Sequence, residues 1–331
     1  MRTDVVNLDS CPTNERNGTY GGKAGEKEGI TINNEYWIVK YPQSTKGMRG
    51  ELTSYTTAPL SEYIGSHIYA ILGIDVHETL LGIRNGKLVV ACKDFCKNEG
   101  SLREMRTIKN TYNAELSKQL EQSFSSTSSE SHTVDMEDMM IHLQYNPIVR
   151  NIPDISTRFW QQFIVDILIN NNDRNNGNWG VLYQNGKYTL APVFDNGASF
   201  SNKLPDYKLD LCLSDSFRMN QSLDTSRTAY SLNGSQVYAK DILSLDYEDL
   251  YKTAISLIPT IEEKLPTIAQ FICDIPNEAH GFVICSNVRK CFYIRSMEMR
   301  IEKYLKPTYL KAIDYINDKK QHLKPQNDRE L

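Results

Sequence analysis

The sequence predicts an α+β protein of two lobes, a small β-rich N-lobe over residues 1–97 and a larger, mainly helical C-lobe over residues 98–331. Three observations carry this expectation. The first hundred residues alternate short β-branched and aromatic runs with turn dipeptides. Beyond about Asn98 the apolar period lengthens to that of helices. Between two apolar stretches of the second part lies a polar run, Asn170 to Gly180, followed by a short hairpin pattern and Asp195-Asn196-Gly197. A chain of 331 residues is long enough for two lobes with their own cores.

The N-lobe elements follow in order. Glu35 to Tyr41 (Glu-Tyr-Trp-Ile-Val-Lys-Tyr) is a strand after the turn residues Asn33-Asn34. Ser61 to about Leu72 is a helix, because Ile64, Ile68, Ile71 and Leu72 share one face and Gly73 suits the position just past its end. Leu80 to Arg84 and Lys87 to Cys92 flank Asn85-Gly86, the strongest short hairpin signal.

In the C-lobe, Ser123 to Ser131 is low-complexity and reads as a solvated, mobile loop. Phe159, Trp160, Phe163, Ile164, Ile167 and Leu168 form a helical stripe that Ser156 could cap. That stripe is core, and its role is to deliver the loop that follows. Gly180 to Tyr183 and Lys187 to Leu190 flank a second Asn-Gly turn, Asn185-Gly186, which returns the chain toward Asp173. Ser199 to Ser231 is rich in Ser and Thr, and it is either an ordinary polar loop or a regulatory one open to phosphorylation. Thr19 and Tyr20 are further candidates for such modification. From about Tyr247 to Asn317 amphipathic helices dominate, with breaks expected at Pro259, Pro266, Pro276 and Pro307.

Composition narrows the function classes. A net charge of −4 argues against a general binder of nucleic acid or anionic membrane. No apolar run approaches the roughly 20 residues of a membrane span, and the N-terminus lacks a signal-peptide core. Cytoplasmic synthesis is the expectation, and export by a route without a signal would leave no trace in the sequence. The seven cysteines are odd in number and scattered, which reads as reduced thiols rather than a disulfide framework. No His/Cys grouping has zinc-site spacing, so no structural metal is assigned.

The chemistry concentrates in three places. Asp173 precedes Asn178 by five positions, and Asp195 follows behind the hairpin. Phosphoryl transfer needs one carboxylate to orient the attacking hydroxyl, and an amide and a second carboxylate to hold magnesium on the phosphates. The spacing is that of a protein-kinase catalytic loop and its metal-binding Asp-x-Gly. Arg174 could pair with a loop carboxylate or a phosphate, and Trp179 packs at the hairpin base.

A glycine-rich run, Gly18 to Gly29, contains Gly21, Gly22 and Lys23. Its backbone N–H groups could approach phosphate oxygens closely, or it is a flexible surface turn. Lys40 lies in an otherwise apolar strand, either on its solvent face or, as in a kinase, reaching the α- and β-phosphates. Glu62 on the next helix is the expected partner, with Glu51 the second choice. Backbone groups of Lys93 and Phe95 stand where a linker would pass an adenine, although a simple strand end explains them equally well.

These residues resemble the HipA-like serine/threonine kinases of bacteria, and more closely the short, toxin-free branch of that family. The resemblance rests on Gly21-Gly22-Lys23, Trp37 to Pro42, Leu60 to Gly65, His77 to Gly82, Asn172 to Gly180 and Pro192 to Gly197. It spans roughly residues 18 to 200, and the last two segments are the specific ones. It implies a two-lobed, protein-kinase-like (HipA-like) fold with ATP between the lobes and Mg2+ on Asn178 and Asp195. It further implies that Asp173 orients the acceptor, a Ser or Thr hydroxyl on a protein substrate, and that autophosphorylation accompanies the activity. The chain carries Asn175 where many members carry His. The glycine loop begins near residue 18, which leaves no place for the extra N-terminal domain of full-length members. Neither an antitoxin partner nor operator DNA is therefore implied. Two other readings remain at this point: a lipid or small-molecule kinase of phosphoinositide-kinase type, and a catalytically dead nucleotide-binding module.

Overall fold

The structure is a computed structural model that describes residues 3–18, 27–96, 100–124 and 133–322. Its first sheet has five strands in the order β1-β4-β5-β3-β2. These are β1 (Val6–Asn7), β2 (Lys27–Ile32), β3 (Glu35–Lys40), β4 (Thr79–Arg84) and β5 (Lys87–Lys93). All pairings are antiparallel except β1 with β4. The turn chemistry explains the registers. Asn33 and Asn34 (φ 50° and 62°) and Asn85 and Gly86 (φ 52° and 66°) all take the left-handed conformation that a two-residue hairpin requires.

Helix α1 (Ala58–Ile71) lies between β3 and β4 in sequence. It starts three residues before the expected Ser61, because Pro59 sits in the first turn, where its missing N–H costs nothing. Gly73 closes it at φ 74°, as its position suggested. One face of the sheet holds a small cluster of Leu8, Ile30, Trp37, Val39, Val89 and Ala91. The other face joins α1 in the main core, which continues without a break into the C-lobe.

The C-lobe opens with β6 (Ser101–Glu104) and α2 (Met105–Leu120), then β7 (Val134–Asp135), α3 (Met136–Tyr145) and α4 (Ile155–Ile169). Hairpin β8 (Gly180–Gln184) and β9 (Lys187–Leu190) turns at Asn185-Gly186 and pairs with β6. Next come α5 (Asp206–Ser214), α6 (Ser216–Asp224), β10 (Arg227–Leu232) and β11 (Ser235–Tyr238). The chain ends in α7 (Glu248–Asp274), a two-residue hairpin pair β12 (Glu278–Ala279) and β13 (Phe282–Val283), α8 (Asn287–Arg300) and α9 (Lys306–His322). Among the described residues no helix is long and apolar enough to cross a membrane.

Four expectations need correction. Ser156 does not cap α4: the cap position is Asp154, and the Ser156 hydroxyl donates to Asp249 Oδ2 at 2.6 Å. Pro259 and Pro266 do not break α7, which runs through both. An internal proline costs about 3 kcal/mol, but burial of Leu250, Ala254, Leu257, Ile258, Ile261, Ile268, Phe271 and Ile272 along one face outweighs it. Pro307 is likewise accommodated, in the first turn of α9 behind a π turn at Ile301–Leu305. The Ser/Thr-rich stretch from Ser199 is not a loop throughout. Leu209, Met219 and Leu223 are buried and draw it into α5 and α6, the latter capped by Asp215 accepting from Phe217 and Arg218 N–H. Most of the Ser123–Ser131 segment lies outside the described residues.

Helix α4 is the spine of the C-lobe. Phe159, Trp160 and Phe163 pack edge-on against each other and against Tyr230 of β10, with centroids 5.0–5.5 Å apart. Phe163→Ala removes a fully buried ring from this stack. It should cost about 3–5 kcal/mol in chemical denaturation, with an unchanged slope against denaturant.

Candidate active site

Asn170 ends α4 in the left-handed conformation (φ 57°), which an Asn tolerates and a branched residue would not. The loop that follows has no regular structure, and its rigidity comes from side chains. Arg174 is fully buried at its centre. Its guanidinium forks onto Asp166 of α4, with Nε to Oδ2 at 2.9 Å and Nη2 to Oδ1 at 3.1 Å. It also donates to the carbonyls of Asn178 (3.0 Å) and Phe194, and to Asn196 Oδ1 at 2.5 Å. Asp166 further accepts from Tyr69 and Asn171, each at 3.0 Å. The sequence offered Arg174 a loop carboxylate or a phosphate; the carboxylate it meets belongs to helix α4 instead.

From the other side, the first two N–H groups of α2, which a helix cannot satisfy internally, donate to the loop. Met105 N–H bonds Trp179 O at 3.0 Å and Arg106 N–H bonds Asn176 O at 2.7 Å. Glycines permit this approach: a Cβ on Gly180 would stand 2.2 Å from Arg103 O. Trp179 is buried at the hairpin base against Phe159.

Within this frame Asp173 is oriented by amides. Asn175 Nδ2 donates to its Oδ1 at 2.9 Å, and Asn178 Nδ2 to its carbonyl at 2.6 Å and its Oδ2 at 3.3 Å. Asn178 thereby keeps its own Oδ1 as an acceptor. Asp195 has φ 62°, unusual for a non-glycine residue and a form of strain that gathers at functional sites. Its carboxylate meets Lys40 Nζ at 2.5 Å. Lys40 Nζ also meets Glu62 Oε2 at 3.0 Å.

Glu62, at 1% exposure, is the partner of Lys40; Glu51 is not, being exposed and bonded to Tyr207 (2.5 Å) and Lys208 (3.2 Å). The other Glu62 oxygen accepts from His77 Nε2 at 2.9 Å and from the Asn196 backbone N–H at 3.0 Å. Burial alone would raise the Glu62 carboxyl, but Lys40 and His77 overcome it and hold it well below the usual carboxylate range. Burial likewise opposes the charge on Lys40 and on Asp195. Their mutual attraction wins, so the ammonium is held well above the ordinary lysine value and the Asp195 carboxyl below the ordinary aspartate value.

A cleft of about 890 Å3 lies between the lobes. Lys40, Glu62, Asp173, Asn178 and Asp195 line it, together with Val90, Thr228 and Gln236. The structure thus brings together five of the predicted site residues. Gly21, Gly22 and Lys23 lie outside the described residues. Lys93 N–H is engaged with Glu78 O at 2.9 Å, and its ammonium with Glu35 and Glu78, each at 2.8 Å. Phe95 packs on Phe194, centroids 5.7 Å apart, and edge-on to His77. His77, Asn196, Asp166 and Ser66 were missed by sequence reasoning. Asp166 left a signal as a lone acid among the apolar residues of α4, and His77 and Asn196 lie in segments that carry the resemblance, without a role being read for them.

A small β-rich lobe with a Lys–Glu pair, a helical lobe with an Asp-x4-Asn loop, and a cleft between them define a protein-kinase-like fold. Residues 20–257 match the family described as HipA-like C-terminal domain, and the chain belongs to it. The serine/threonine-protein kinase CtkA of Helicobacter pylori is 33% identical over 219 residues, covering 65% of this chain and 62% of CtkA, so the match spans less than two thirds of that relative. The crystal structure titled as that of a Helicobacter pylori proinflammatory kinase, CtkA, superimposes with a TM-score of 0.80 at 26% identity, covering 94% of this chain and 99% of that one. HipA from the Shewanella oneidensis HipA, HipB and operator DNA complex shares the fold at a TM-score of 0.52 and 12% identity, covering 88% of this chain and 68% of that one.

Two outcomes follow. Arg174→Met strands the Asp166 carboxylate and should destabilise the protein by about 3–5 kcal/mol, measured by urea unfolding. The depressed Glu62 carboxyl stabilises the fold fully above its unfolded value of about 4.3. That contribution should fade as pH falls below this point, and Glu62→Gln should flatten the acid limb of stability against pH.

Proposed function

We propose that the protein is an ATP- and Mg2+-dependent serine/threonine kinase that transfers the γ-phosphoryl group to a protein hydroxyl and phosphorylates itself. One observation carries the reading: Asp173, Asn178, Asp195 and the Lys40–Glu62 pair converge on a single cleft, although they come from both lobes. The likeness to CtkA supports it.

The roles follow from position and chemistry. Asp173 accepts the hydrogen bond of the acceptor hydroxyl and fixes its direction of attack, since Asn175 and Asn178 already hold its carboxylate in one orientation. Lys40, kept charged by its two carboxylates, offers a cation to the phosphates. Asp173, Asn178 and Asp195 line the cleft and offer carboxylate and amide oxygens, a hard donor set that suits magnesium and not a thiophilic metal. Asn178 and Asp195 would hold the ion, which when bound neutralises charge on the phosphates. We assign Gly21, Gly22 and Lys23 to covering those phosphates, and the backbone of Phe95 to the adenine side of the cleft. Lys93 N–H is taken by Glu78, so only its carbonyl is left for that task.

Among the hydroxyls of the Ser/Thr-rich stretch, those of Ser214, Ser222 and Thr225 donate to backbone carbonyls of their own helices at 2.8–2.9 Å. Thr19 and Tyr20 lie outside the described residues and remain candidates for self-modification.

Asp173→Asn should reduce transfer of labelled phosphate from ATP by about 100-fold or more, to protein in a lysate and to the chain itself, while nucleotide binding persists. Undiminished transfer by this variant would sink the assignment. Label appearing only in lipid or small molecules would replace the protein substrate with one of those.

A further inference from the structure

Behind the Lys40–Glu62 pair lies a chain of buried polar groups that phosphate binding does not use. His77 precedes β4 and is 5% exposed; Ser66 on α1 is 2% exposed; Asn196 is fully buried. His77 Nε2 stands 2.9 Å from Glu62 Oε1 and 3.1 Å from Ser66 Oγ. Asn196 gives its backbone N–H to the same Glu62 oxygen at 3.0 Å and its side-chain Nδ2 to Ser66 Oγ at 3.0 Å. Its Oδ1 accepts from Arg174, the centre of the catalytic loop. An unbroken hydrogen-bonded path therefore runs from Asp166 through Arg174, Asn196 and Ser66 to His77, Glu62 and Lys40.

Two backbone features hold this path together. His77 N–H donates to Val193 O at 3.0 Å and Val193 N–H to Asp75 O at 2.9 Å, fastening the His77 segment beside the Asp195 segment. Gly65 on α1 lets the helix close on Asn196, since a Cβ there would lie 2.8 Å from Asn196 Cβ.

We infer that His77 and Asn196 are positioning residues, which latch the Glu62 carboxylate from behind and so keep Lys40 aimed at the phosphates. The physical reason is the carboxylate's geometry. With only Lys40 as partner, Glu62 could rotate about its last side-chain bonds and follow the ammonium. Two donors on its second oxygen remove that freedom, one from the N-lobe and one from the metal-binding segment. Cys92 also approaches the group, and Glu62, His77 and Cys92 place donor atoms within 4.8 Å of one another. A metal ion is the poorer reading of that trio. Both Glu62 oxygens already have partners, Lys40 is an adjacent cation, and burial pushes the Cys92 thiol up, which disfavours its ligating form.

The inference rests on the kinase reading for its kinetic consequence but not for its structural one, and the test separates the two. His77→Ala, His77→Gln and Asn196→Ala are compared with the parent, with thermal unfolding as the control for folding. Gln keeps one side-chain N–H for Glu62, whereas Ala keeps none. In the parent and in His77→Gln, the Asn196 amide should be protected from hydrogen exchange; in His77→Ala that protection should fall, with no nucleotide present. In labelled-phosphate transfer, His77→Ala and Asn196→Ala should lower kcat by about tenfold or more with KM for ATP changed far less, and His77→Gln should recover most of the loss. Should His77→Ala keep both its Asn196 protection and a kcat within about twofold of the parent, the latch does not exist. Equal losses in the Gln and Ala variants also overturn it, since they would show bulk rather than hydrogen bonding. A parent that transfers no phosphate removes the kinase reading, and the exchange experiment still decides the latch.

Discussion

A carboxylate at 1% exposure is the constraint around which this molecule is arranged. Glu62 cannot be charged and buried without compensation, because removing an isolated ion from water costs several kcal/mol or more. The sequence answers with three donors from three separate segments: Lys40 from β3, His77 from the approach to β4, and the Asn196 N–H from behind Asp195. Each donor imposes a placement. Lys40 must come from β3, between β5 and β2 in the sheet, His77 must lie against α1, and Asn196 must arrive from the C-lobe. The position of one buried oxygen pair thus fixes how the two lobes meet. Since Lys40 Nζ also contacts Asp195 at 2.5 Å, the same requirement brings the Asp195 carboxylate into the cleft.

A second buried ion repeats the logic in the C-lobe. The loop carrying Asp173 has almost no regular hydrogen bonding of its own, yet it must hold a carboxylate steady. Arg174 does so by offering its donors at once to Asp166, Asn196 and two carbonyls. A planar fork suits this task where a lysine would not, because its donors point in fixed, divergent directions. The two networks meet at Asn196, whose backbone serves Glu62 and whose side chain serves Arg174 and Ser66.

What could be read from the sequence follows from these physics. Hairpins were legible because Asn-Gly and Asn-Asn at two-residue spacing leave the backbone few choices, and the strands flanking Asn85 and Asn185 lie where the turns put them. The Asp173, Asn178 and Asp195 spacing was legible because a loop and a two-stranded hairpin span fixed distances. The pairing of Lys40 with Glu62 in preference to Glu51 was a choice between local alternatives, and burial settles it. The roles of His77 and Ser66 could not be read, because they come from contacts across α1 and not from any neighbour in sequence. The prolines of α7 misled for the opposite reason: a local penalty was visible, whereas the tertiary burial that outweighs it was not. The Ser/Thr-rich stretch misled similarly, as three apolar side chains among many hydroxyls suffice to fold it against the core.

Helix α1 is itself held in place by the C-lobe. In a two-lobed fold such a helix could hang from the sheet alone and swing with it. Here its outer face is covered by the C-lobe: Tyr63 and His67 pack on Phe271 of α7, with His67 stacked at a centroid distance of 4.8 Å. Leu60, Ile64, Ile68 and Tyr69 belong to the core that runs on into α4. Swinging α1 outward would expose this apolar surface, at about 25 cal/mol for each Å2, and would separate Glu62 from Asn196 and Ser66 from its partners in the same motion. Apolar and polar costs therefore add along one coordinate. The alternative position of the helix lies uphill on both, so the Lys40–Glu62 pair is held by packing and by hydrogen bonds that share a single geometry.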